Sequence, residues 1–365
     1  MYSLFNPVHV LIGEKSLSKL PSLIENRKYV VVSSRGFESR GWNNYFLNAE
    51  YVIDTVSPNP TISELADNLK ILKKIKLDLL VAVGGGSVID TTKALSVLSD
   101  GSKESIIDHV EGNKDCTSKQ YDLIAIPTTA GTGAEVTPFA TIWDDKKKRK
   151  LSLHSPFLYP TYAIIDARLT LSLGLEMTAI SGLDALSHCF ESLWNKNANP
   201  YTKSMAFLAI DLILETLGPL LDNLNNLDMR TEMAWASLFG GLCINQTKTA
   251  LAHSISYPLT SHLEIPHGLA SGIFLPEILK FNRKHDLTDA VEEIYIKLSD
   301  VGPLNERLDQ LYQKLEQCNL FQLIKKNKSK IYPLIPQMIY PEKIKNNIAD
   351  TSYEDIHSIL DSFFH

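Results

Sequence analysis

LDLLVAVGGGSVIDTTKA, residues 77–94, decides the fold. Its first half is an apolar run that predicts a buried strand, and its second half has the spacing of a helix. Glycines between them let backbone N–H groups approach a phosphate closely, beside the positive N-terminus of the helix. We therefore predict a phosphate-binding turn at Gly84, Gly85, Gly86 and Ser87. Because the turn lacks GxGxxG, a plain turn with Ser87 and Asp90 as a helix cap stays open.

Similar strand patterns recur through the first half of the chain. They cover 28–34, 50–57, 121–129 and 161–169. Amphipathic segments such as 61–75 lie between several of them, and this alternation predicts a parallel sheet covered by helices on both faces. After about Leu173 only helical spacing occurs. We expect an α/β domain at 1–174 and an all-α domain at 175–365, with the change of character near 170–178.

Composition narrows the class of protein. The 365 residues carry a formal net charge of −6, which argues against nucleic acid as a partner because phosphate backbones favour basic surfaces. The four cysteines are scattered without a CxxC pair, as in reduced intracellular proteins. No signal-peptide pattern opens the chain, and no apolar run approaches the roughly 18 residues that predict a membrane span. We expect a cytoplasmic protein with no membrane partner.

A second turn rich in glycine and threonine follows the strand pattern at 121–129. It reads PTTAGTGAEVT, residues 127–137, and offers the hydroxyls of Thr128, Thr129 and Thr132. Ligands of open α/β sheets bind at the carboxyl ends of strands. Two such turns favour a bound nucleotide over two unrelated tight turns, although the second interpretation stays open.

Four side chains have the chemistry of a metal site. Asp184 and His188 are four residues apart in a helical pattern and share one helix face. His253 and His267 follow, with Pro258 and Pro266 making one continuous helix between them improbable, so we expect His253 to close one helix and His267 to open the next. One carboxylate and three imidazoles suit Fe²⁺ or Zn²⁺ and not Ca²⁺ or Mg²⁺. Spacing alone does not bring the two pairs together, and a helix-cap Asp with a core His stays an alternative.

Five motifs together resemble the iron-containing (group III) alcohol dehydrogenase family. They are GGGSVIDTTKA, PTTAGTGAEVT, AIIDARLTLSL, GLDALSHCFES and PHGLASGIFLP, in the family's order and spacing over nearly the whole chain. The resemblance implies a fold like that of dehydroquinate synthase: a Rossmann-like N-terminal domain, a helical C-terminal domain and a cleft between them. It also implies a homodimer or larger homo-oligomer that acts on a small alcohol or aldehyde.

Carried over residue by residue, the resemblance assigns roles to individual positions. The family's metal ligands fall on Asp184, His188, His253 and His267, which would hold Fe²⁺, Zn²⁺ or another divalent ion. Its nicotinamide-cofactor contacts fall on the two turns and on a lysine of the cleft: Gly84, Gly85, Gly86, Ser87, Asp90, Thr128, Thr129, Thr132 and Lys150.

Two positions depart from the pattern of many relatives. Ser34, followed by Arg35, stands where many NAD-preferring members carry an aspartate. A hydroxyl and a cation would tolerate a 2′-phosphate, so we expect NAD(P)H to be used and NADPH to be accepted. Tyr257 replaces a further cleft histidine; it is a candidate catalytic residue, although a phenol is a poorer proton shuttle near neutral pH. Arg35 pointing into solvent is the alternative to the first expectation.

The segments HSISYPLTSHLEIPHGLA, which begins at His253, and NNIADTSYEDIHSIL near the C-terminus resemble phosphonoacetaldehyde reductases more than dehydrogenases of short alcohols. The predicted reaction is therefore reduction of a small aldehyde, with phosphonoacetaldehyde as the favoured substrate and Lys150, Arg149 and His262 as candidate cations for its phosphonate. His262 matches no ligand position and is more typical of a surface residue. Dehydrogenases of butanol, 1,3-propanediol or 4-hydroxybutyrate are the alternative, with a dehydroquinate synthase-like lyase and a non-catalytic nucleotide-binding protein as remote ones.

Overall fold

The computed structural model describes residues 2–147 and 149–365, which form two compact units. An α/β unit comprises Asn6–Thr129 and Ala134–Ser172. A helical unit comprises Leu173–His365 together with Ala130–Gly133 and the N-terminal residues up to Phe5. The boundary between the two units thus lies at the Ser172–Leu173 bond, and four residues of the threonine-rich turn, Ala130–Gly133, group with the helical unit. The domain boundary at 174/175 stays a prediction.

The α/β unit is built on a six-stranded parallel sheet with the order β1-β8-β5-β4-β2-β3. Its strands are β1 His9–Ile12, β2 Tyr29–Ser34, β3 Tyr51–Val56, β4 Leu79–Gly84, β5 Asp122–Pro127 and β8 Tyr162–Ile165. A separate antiparallel hairpin pairs β6 Phe139–Asp144 with β7 Arg149–His154. Each of the five strand patterns found in the sequence forms a strand of the parallel sheet.

Apolar residues bury both faces of this sheet. Val30 and Val32 pack in one apolar cluster while Val31 packs in another, as alternation of side chains along a strand requires. The helices of this unit are α1 Leu20–Ile24, α2 Ile62–Leu72, α3 Gly86–Val97 and α4 Lys103–Val110. Thr61 and Glu64 form a reciprocal capping box that starts α2, within the segment predicted to be helical.

Three strands escape the sequence patterns. The edge strand β1 is only four residues long, and its burial does not alternate. The basic run KKKRK, residues 146–150, joins the two strands of the hairpin β6–β7. Residues 145–147 form a turn, Lys148 lies outside the described residues, and Arg149 and Lys150 begin β7. Short strands with mixed polarity give too few residues for a period to be recognised.

Every regular element after Leu173 is a helix, as predicted. The helices are α5 Leu175–Leu193, α6 Pro200–Asp222, α7 Leu227–Thr247, α8 Leu251–Leu263, α9 His267–Gly272, α10 Leu275–His285, α11 Ala290–Lys297, α12 Leu304–Gln317, α13 Gln322–Lys326, α14 Lys328–Ile331, α15 Ile335–Met338, α16 Pro341–Ile344 and α17 Tyr353–Phe364. The long helices α5, α6 and α7 pack against one another, and α9 packs on α5. The α/β class with a following all-α part is confirmed.

Helix α6 is long and apolar enough to cross a membrane, with a mean hydropathy of 1.6 over 18 residues. The expectation that no apolar run approaches that length was wrong for this helix. Ala206, Ile210 and Ile213 are nevertheless fully buried in the core shared with α5 and α7, and a core helix meets the same criterion.

Candidate metal centre and cofactor loops

Helix α5 presents two potential ligands on one buried face. Asp184 and His188 are 5 % and 4 % exposed, and the Asp184 Oδ1 atom lies 3.9 Å from His188 Nε2. The four-residue spacing places them one turn apart, as the sequence indicated. Two atoms bound to one metal at about 2.1 Å each lie at most ~4.2 Å apart, so this separation fits a shared ion.

His253 joins this pair from helix α8. Its Nε2 atom lies 4.0 Å from Asp184 Oδ1, and its ring stacks on His188 with centroids 4.9 Å apart. One ligand atom from each of the three residues lies within 4.8 Å of the others. The expected helix boundary was wrong, because His253 stands in the first turn of α8 and Pro258 lies inside that helix. A proline removes one helical hydrogen bond, and here the buried face of α8 outweighs that loss.

His267 opens helix α9, as expected, and its ring lies beside the three residues of this cluster. Its ring centroid lies 5.1 Å from that of His253. Gly268 makes this approach possible, because a Cβ atom at that position would meet Ile180 O at 2.2 Å and Asp184 Cβ at 2.9 Å. The four predicted ligands, 83 positions apart along the chain from Asp184 to His267, therefore lie together within the helical unit.

Hydrogen bonds orient two of the imidazoles toward a common point. His188 Nδ1 lies 3.2 Å from the carbonyl oxygen of Gly131, and His253 Nδ1 lies 2.6 Å from Glu191 Oε2. Both acceptors require a proton on Nδ1, which leaves the lone pair on Nε2 facing Asp184. Ser271 donates to Asp184 Oδ1 at 3.1 Å. The donor set, its burial and its tautomers fit a divalent transition metal.

Burial raises the pKa of the two carboxyl groups at this site, Asp184 and Glu191, and neighbouring groups lower it. Burial raises the pKa of Asp184, but the histidines at 188, 267 and 253 and the Ser271 hydroxyl outweigh it, so the net shift is downward. Burial raises the pKa of Glu191 to about 7 despite backbone hydrogen bonds from His253 and Ala250 and the electrostatic influence of the nearby His188 and Lys343 side chains. A bound cation would favour both carboxylates in their ionised form.

Tyrosines and a lysine of the helical unit lie near the candidate ligands. The ring of Tyr257 lies 6.3 Å from His267 and 5.6 Å from Tyr340, centroid to centroid. Lys343, on α16, is half-buried and interacts electrostatically with Glu191. His262 is exposed and pairs with the side chain of Gln337 at 2.8 Å, in keeping with its interpretation as a surface residue.

The glycine turn and the first threonines of the second turn meet in the α/β unit. A Cβ atom on Gly85 would lie 3.2 Å from Thr129 Cγ2, and the Thr128 N–H donates to Gly84 O at 3.0 Å. Gly86 begins α3, whose N-cap is Gly85 with no side-chain capping bond. Ser87 accepts a hydrogen bond from the Asn59 N–H at 3.2 Å and caps nothing. The bare helix N-terminus between two close turns is a suitable cradle for a diphosphate.

The second turn continues into the other unit. Thr132 lies within Ala130–Gly133, which groups with the helices. Gly131 and Gly133 pack so closely there that added Cβ atoms would meet Ser181 O at 2.6 Å and Gly241 Cα at 2.3 Å. This segment therefore contacts a candidate metal ligand directly, because the Gly131 carbonyl oxygen lies at hydrogen-bond distance from His188 Nδ1.

Two predicted cofactor contacts belong to a buried charged network. Asp90 accepts a hydrogen bond from Thr141 N at 2.8 Å and lies 3.8 Å from Lys93 Nζ. Burial lowers the pKa of Lys93 to about 8, against the negative charges of Asp90 and Glu135. Lys150 stands on β7 and its charge acts on Asp90. The network fixes the start of the hairpin beside α3.

Ser34 and Arg35 lie at the carboxyl end of β2, where the cofactor selector was expected. Ser34 is half-buried and Arg35 is exposed. A third residue, Arg40, folds back over Gly36, with its Cζ atom 3.3 Å from the position of a Gly36 Cβ and 4.9 Å from the Trp42 ring. Sequence reasoning missed Arg40, because its approach to Gly36 depends on the backbone conformation of the loop, which no sequence pattern indicated.

Sequence reasoning also missed the residues that orient the ligands. Glu191 lies three residues after His188 on the same helix, and Ser271 lies four after His267. Helical spacing from a known ligand could have drawn attention to both. The Gly131 carbonyl carried no such signal, because backbone groups acquire roles only through the fold.

Comparison with known proteins agrees with this geometry. Residues 7–167 match the family model "Iron-containing alcohol dehydrogenase", and residues 178–364 match "Fe-containing alcohol dehydrogenase family, C-terminal". The chain is 31% identical over 281 residues to alcohol dehydrogenase 4 of Saccharomyces cerevisiae, covering 74% of this chain and 73% of that protein. It is 35% identical over 259 residues to the phosphonoacetaldehyde reductase of Streptomyces viridochromogenes, covering 68% and 65% respectively.

A solved structure shares the architecture over the full chain. The sulfoacetaldehyde reductase of Bifidobacterium kashiwanohense, in complex with NAD+, aligns with a TM-score of 0.87 at 27% identity and covers 100% of this chain and 98% of that one. Two family models in register with both halves of the chain settle the membership. The chain belongs to the iron-containing alcohol dehydrogenase family and is an oxidoreductase of the alcohol dehydrogenase and aldehyde reductase type.

Proposed function

We propose that the protein reduces a small aldehyde to its alcohol, reversibly, with NAD(P)H and a divalent metal, Fe²⁺ by family membership. The observation that supports this most is the buried convergence of Asp184, His188 and His253, with both imidazoles held in the Nε2-ligand tautomer. A buried carboxylate is costly unless nearby positive charge neutralises it, and an ion held by these three residues would supply that charge.

The residues of this chain would bind and orient the reactants. Asp184, His188, His253 and His267 would hold the ion, which supplies Lewis-acid polarisation of the aldehyde oxygen when bound. Gly84, Gly85, Gly86, Ser87, Thr128, Thr129 and Thr132 would hold the dinucleotide through backbone N–H groups and hydroxyls. Burial of Asp184, His188 and His253 excludes water from their surroundings.

We propose that Tyr257 supplies the proton to the alcohol oxygen, directly or through water. The centroid of its ring lies 6.3 Å from that of His267 and 5.6 Å from that of Tyr340. The variant Tyr257→Phe keeps the ring and removes the hydroxyl, so metal content should stay unchanged while kcat falls by about 10²-fold or more. An unchanged kcat would assign proton delivery to another group.

The cofactor proposal is that NADPH is accepted. Ser34 supplies a hydroxyl, and Arg35 and Arg40 supply two cations at the end of β2 in place of an acid. Each charge-assisted hydrogen bond to a 2′-phosphate contributes about 1.5–3 kcal/mol, so removing either arginine should lower kcat/KM for NADPH roughly tenfold or more while that for NADH changes little. A strong preference of the wild type for NADH would contradict the proposal.

For the substrate we propose an acetaldehyde with a tetrahedral anionic group, phosphonoacetaldehyde first. The support is that a phosphonoacetaldehyde reductase is among the relatives and a sulfoacetaldehyde reductase among the related structures. Two of the cations suggested by sequence already have other partners. Arg149 is paired with Glu111 and Asp144, and His262 is exposed and lies 2.8 Å from the side chain of Gln337.

Lys343 is the better candidate for contact with the anion. It is a half-buried cation near Glu191 and three residues from Tyr340, which touches Tyr257. Lys343→Met should raise KM for phosphonoacetaldehyde by about tenfold or more and leave that for butyraldehyde unchanged, because only the first carries the anion. The matched control is Lys345→Met, which removes an exposed lysine two residues further along the chain. Equal effects on both aldehydes would remove Lys343 from this role.

The alternative substrates are uncharged or differently charged alcohols: butanol, 1,3-propanediol and 4-hydroxybutyrate. A panel of phosphonoacetaldehyde, succinic semialdehyde, glyceraldehyde and butyraldehyde with both cofactors separates them by kcat/KM. We also propose a homodimer or larger homo-oligomer that works in the cytoplasm. Light scattering on the purified protein tests the oligomer, and a fully active monomer would contradict it.

A further inference from the structure

We propose that Glu191 is a positioning residue that sets the tautomer and the donor strength of the metal ligand His253. The inference rests on the proposed function, since it concerns the same metal centre. Glu191 lies on α5 one turn beyond His188 and is fully buried.

Both carboxylate oxygens of Glu191 make hydrogen bonds to His253. Oε2 lies 2.6 Å from His253 Nδ1, and Oε1 accepts a hydrogen bond from the His253 backbone N–H at 3.1 Å. With Glu191 ionised, the form that a bound cation would favour, its oxygens only accept, so Nδ1 carries the proton and Nε2 carries the lone pair. That Nε2 is the atom 4.0 Å from Asp184 Oδ1.

The two histidines of the stacked pair are held by different acceptors. His188 Nδ1 faces the neutral carbonyl of Gly131, whereas His253 Nδ1 faces a carboxylate. A carboxylate partner makes an imidazole a stronger donor to a metal than a carbonyl does. His253 is therefore the more basic ligand, and it should donate more electron density to the ion than His188 does.

A merely structural role would be to cap helix α8. Ala250, the N-cap, has no side-chain cap of its own, and Glu191 accepts from His253 N in the first turn. The cap explains one oxygen of Glu191 and leaves the shorter contact, to the side chain of His253, unexplained. A Leu at this buried position would also avoid the cost of a buried carboxylate.

The variant Glu191→Gln separates the two roles. Its amide has one oxygen, which can serve the backbone N–H or Nδ1 but not both. If the oxygen keeps the cap, the NH₂ group faces Nδ1 and forces the proton onto Nε2, which then has no lone pair for the ion. If the oxygen faces Nδ1, the cap is lost and the partner is neutral.

The experiment is a chelator challenge of the metal-loaded protein, with retained metal measured by elemental analysis. Glu191→Gln should lose metal at about 10- to 100-fold lower chelator concentration than the wild type, and Glu191→Asp should fall between them. Glu277→Gln, which removes another largely buried carboxylate of the helical unit, should retain metal like the wild type. Wild-type retention by a folded Glu191→Gln would overturn the proposal.

A measurement on the wild type covers the case in which the variants fail to fold. Nitrogen NMR of ¹⁵N-histidine-labelled wild type loaded with Zn²⁺, with the His253 ring assigned through its backbone resonances, should find the Nδ1–H form of that ring. An Nε2–H ring would overturn the proposal. If the wild type retains no metal at all, the proposed function fails, whereas loaded wild type with an unaffected Glu191→Gln defeats only this inference.

Discussion

Replacing Gly268 by alanine should push apart the packed helices α5, which carries Asp184, and α9, which carries His267. The new Cβ atom would lie 2.2 Å from Ile180 O, more than 1 Å inside an ordinary contact of about 3.4 Å. Because the obstacle is backbone of α5, no side-chain rotation relieves it, and α9 must move away by about 1 Å. Metal sites tolerate changes of about ±0.2 Å in ligand distance, so His267 would leave the coordination shell.

The expected magnitudes follow from that displacement. Overpacking costs typically 1–3 kcal/mol of unfolding free energy, and a displaced ligand should weaken metal binding by at least tenfold. The assays are thermal unfolding of the metal-free protein and chelator challenge of the loaded one. Gly218→Ala is the matched control, since nothing lies within 4 Å of its Cβ. Its stability should change by less than about 1 kcal/mol, because the helix propensity gained is offset by crowding before Pro219. Unchanged metal affinity and stability in Gly268→Ala would refute the reasoning.

Two further predictions concern the α/β unit. Lys93→Met removes a buried cation that donates to Thr137 Oγ1 and Phe139 O and faces two carboxylates. The free energy of unfolding, measured with urea, should therefore fall by about 3–5 kcal/mol. A fall of less than about 1 kcal/mol would contradict this expectation. Burial raises the pKa of Asp166, but hydrogen bonds and the charge of Arg168 outweigh it and lower the pKa overall. The folded state thus binds fewer protons than the unfolded one, so the stabilisation by Asp166 is present above about pH 4 and is lost as pH falls below it. The difference in unfolding free energy between wild type and Asp166→Asn should shrink across that window, and a constant difference would contradict the assignment.

Local patterns predicted the parts of this fold that depend on local physics. β2, β4 and β5 each contain a run of apolar residues buried on both faces of the sheet, and this burial explains why apolar residues do not alternate with polar ones in their centres. The pairing of Asp184 with His188 depends on one helical turn and was likewise predictable. The resemblance to a family supplied what spacing could not, the joining of that pair to His253 and His267.

Long-range contacts set the limit of the sequence analysis. Glu191 and His253 are 62 residues apart, and the Gly131 carbonyl is 57 residues from His188. No periodic pattern links such positions, since each contact depends on how α5, α8 and the 130–133 segment pack. The start of α8 was misjudged for a related reason: Pro258 predicts a helix end locally, but burial of the face that carries His253 sustains the helix through it.

The central claim is that turnover depends on a divalent ion held by these four residues. The most direct test measures bound metal and NAD(P)H oxidation together, in wild type, in chelator-treated wild type and in His267→Ala, with the aldehyde panel as substrates. We predict that activity follows metal content, disappears on stripping, returns when Fe²⁺ is restored to the wild type, and is absent with the metal in His267→Ala. Undiminished turnover by the stripped wild type would contradict the account.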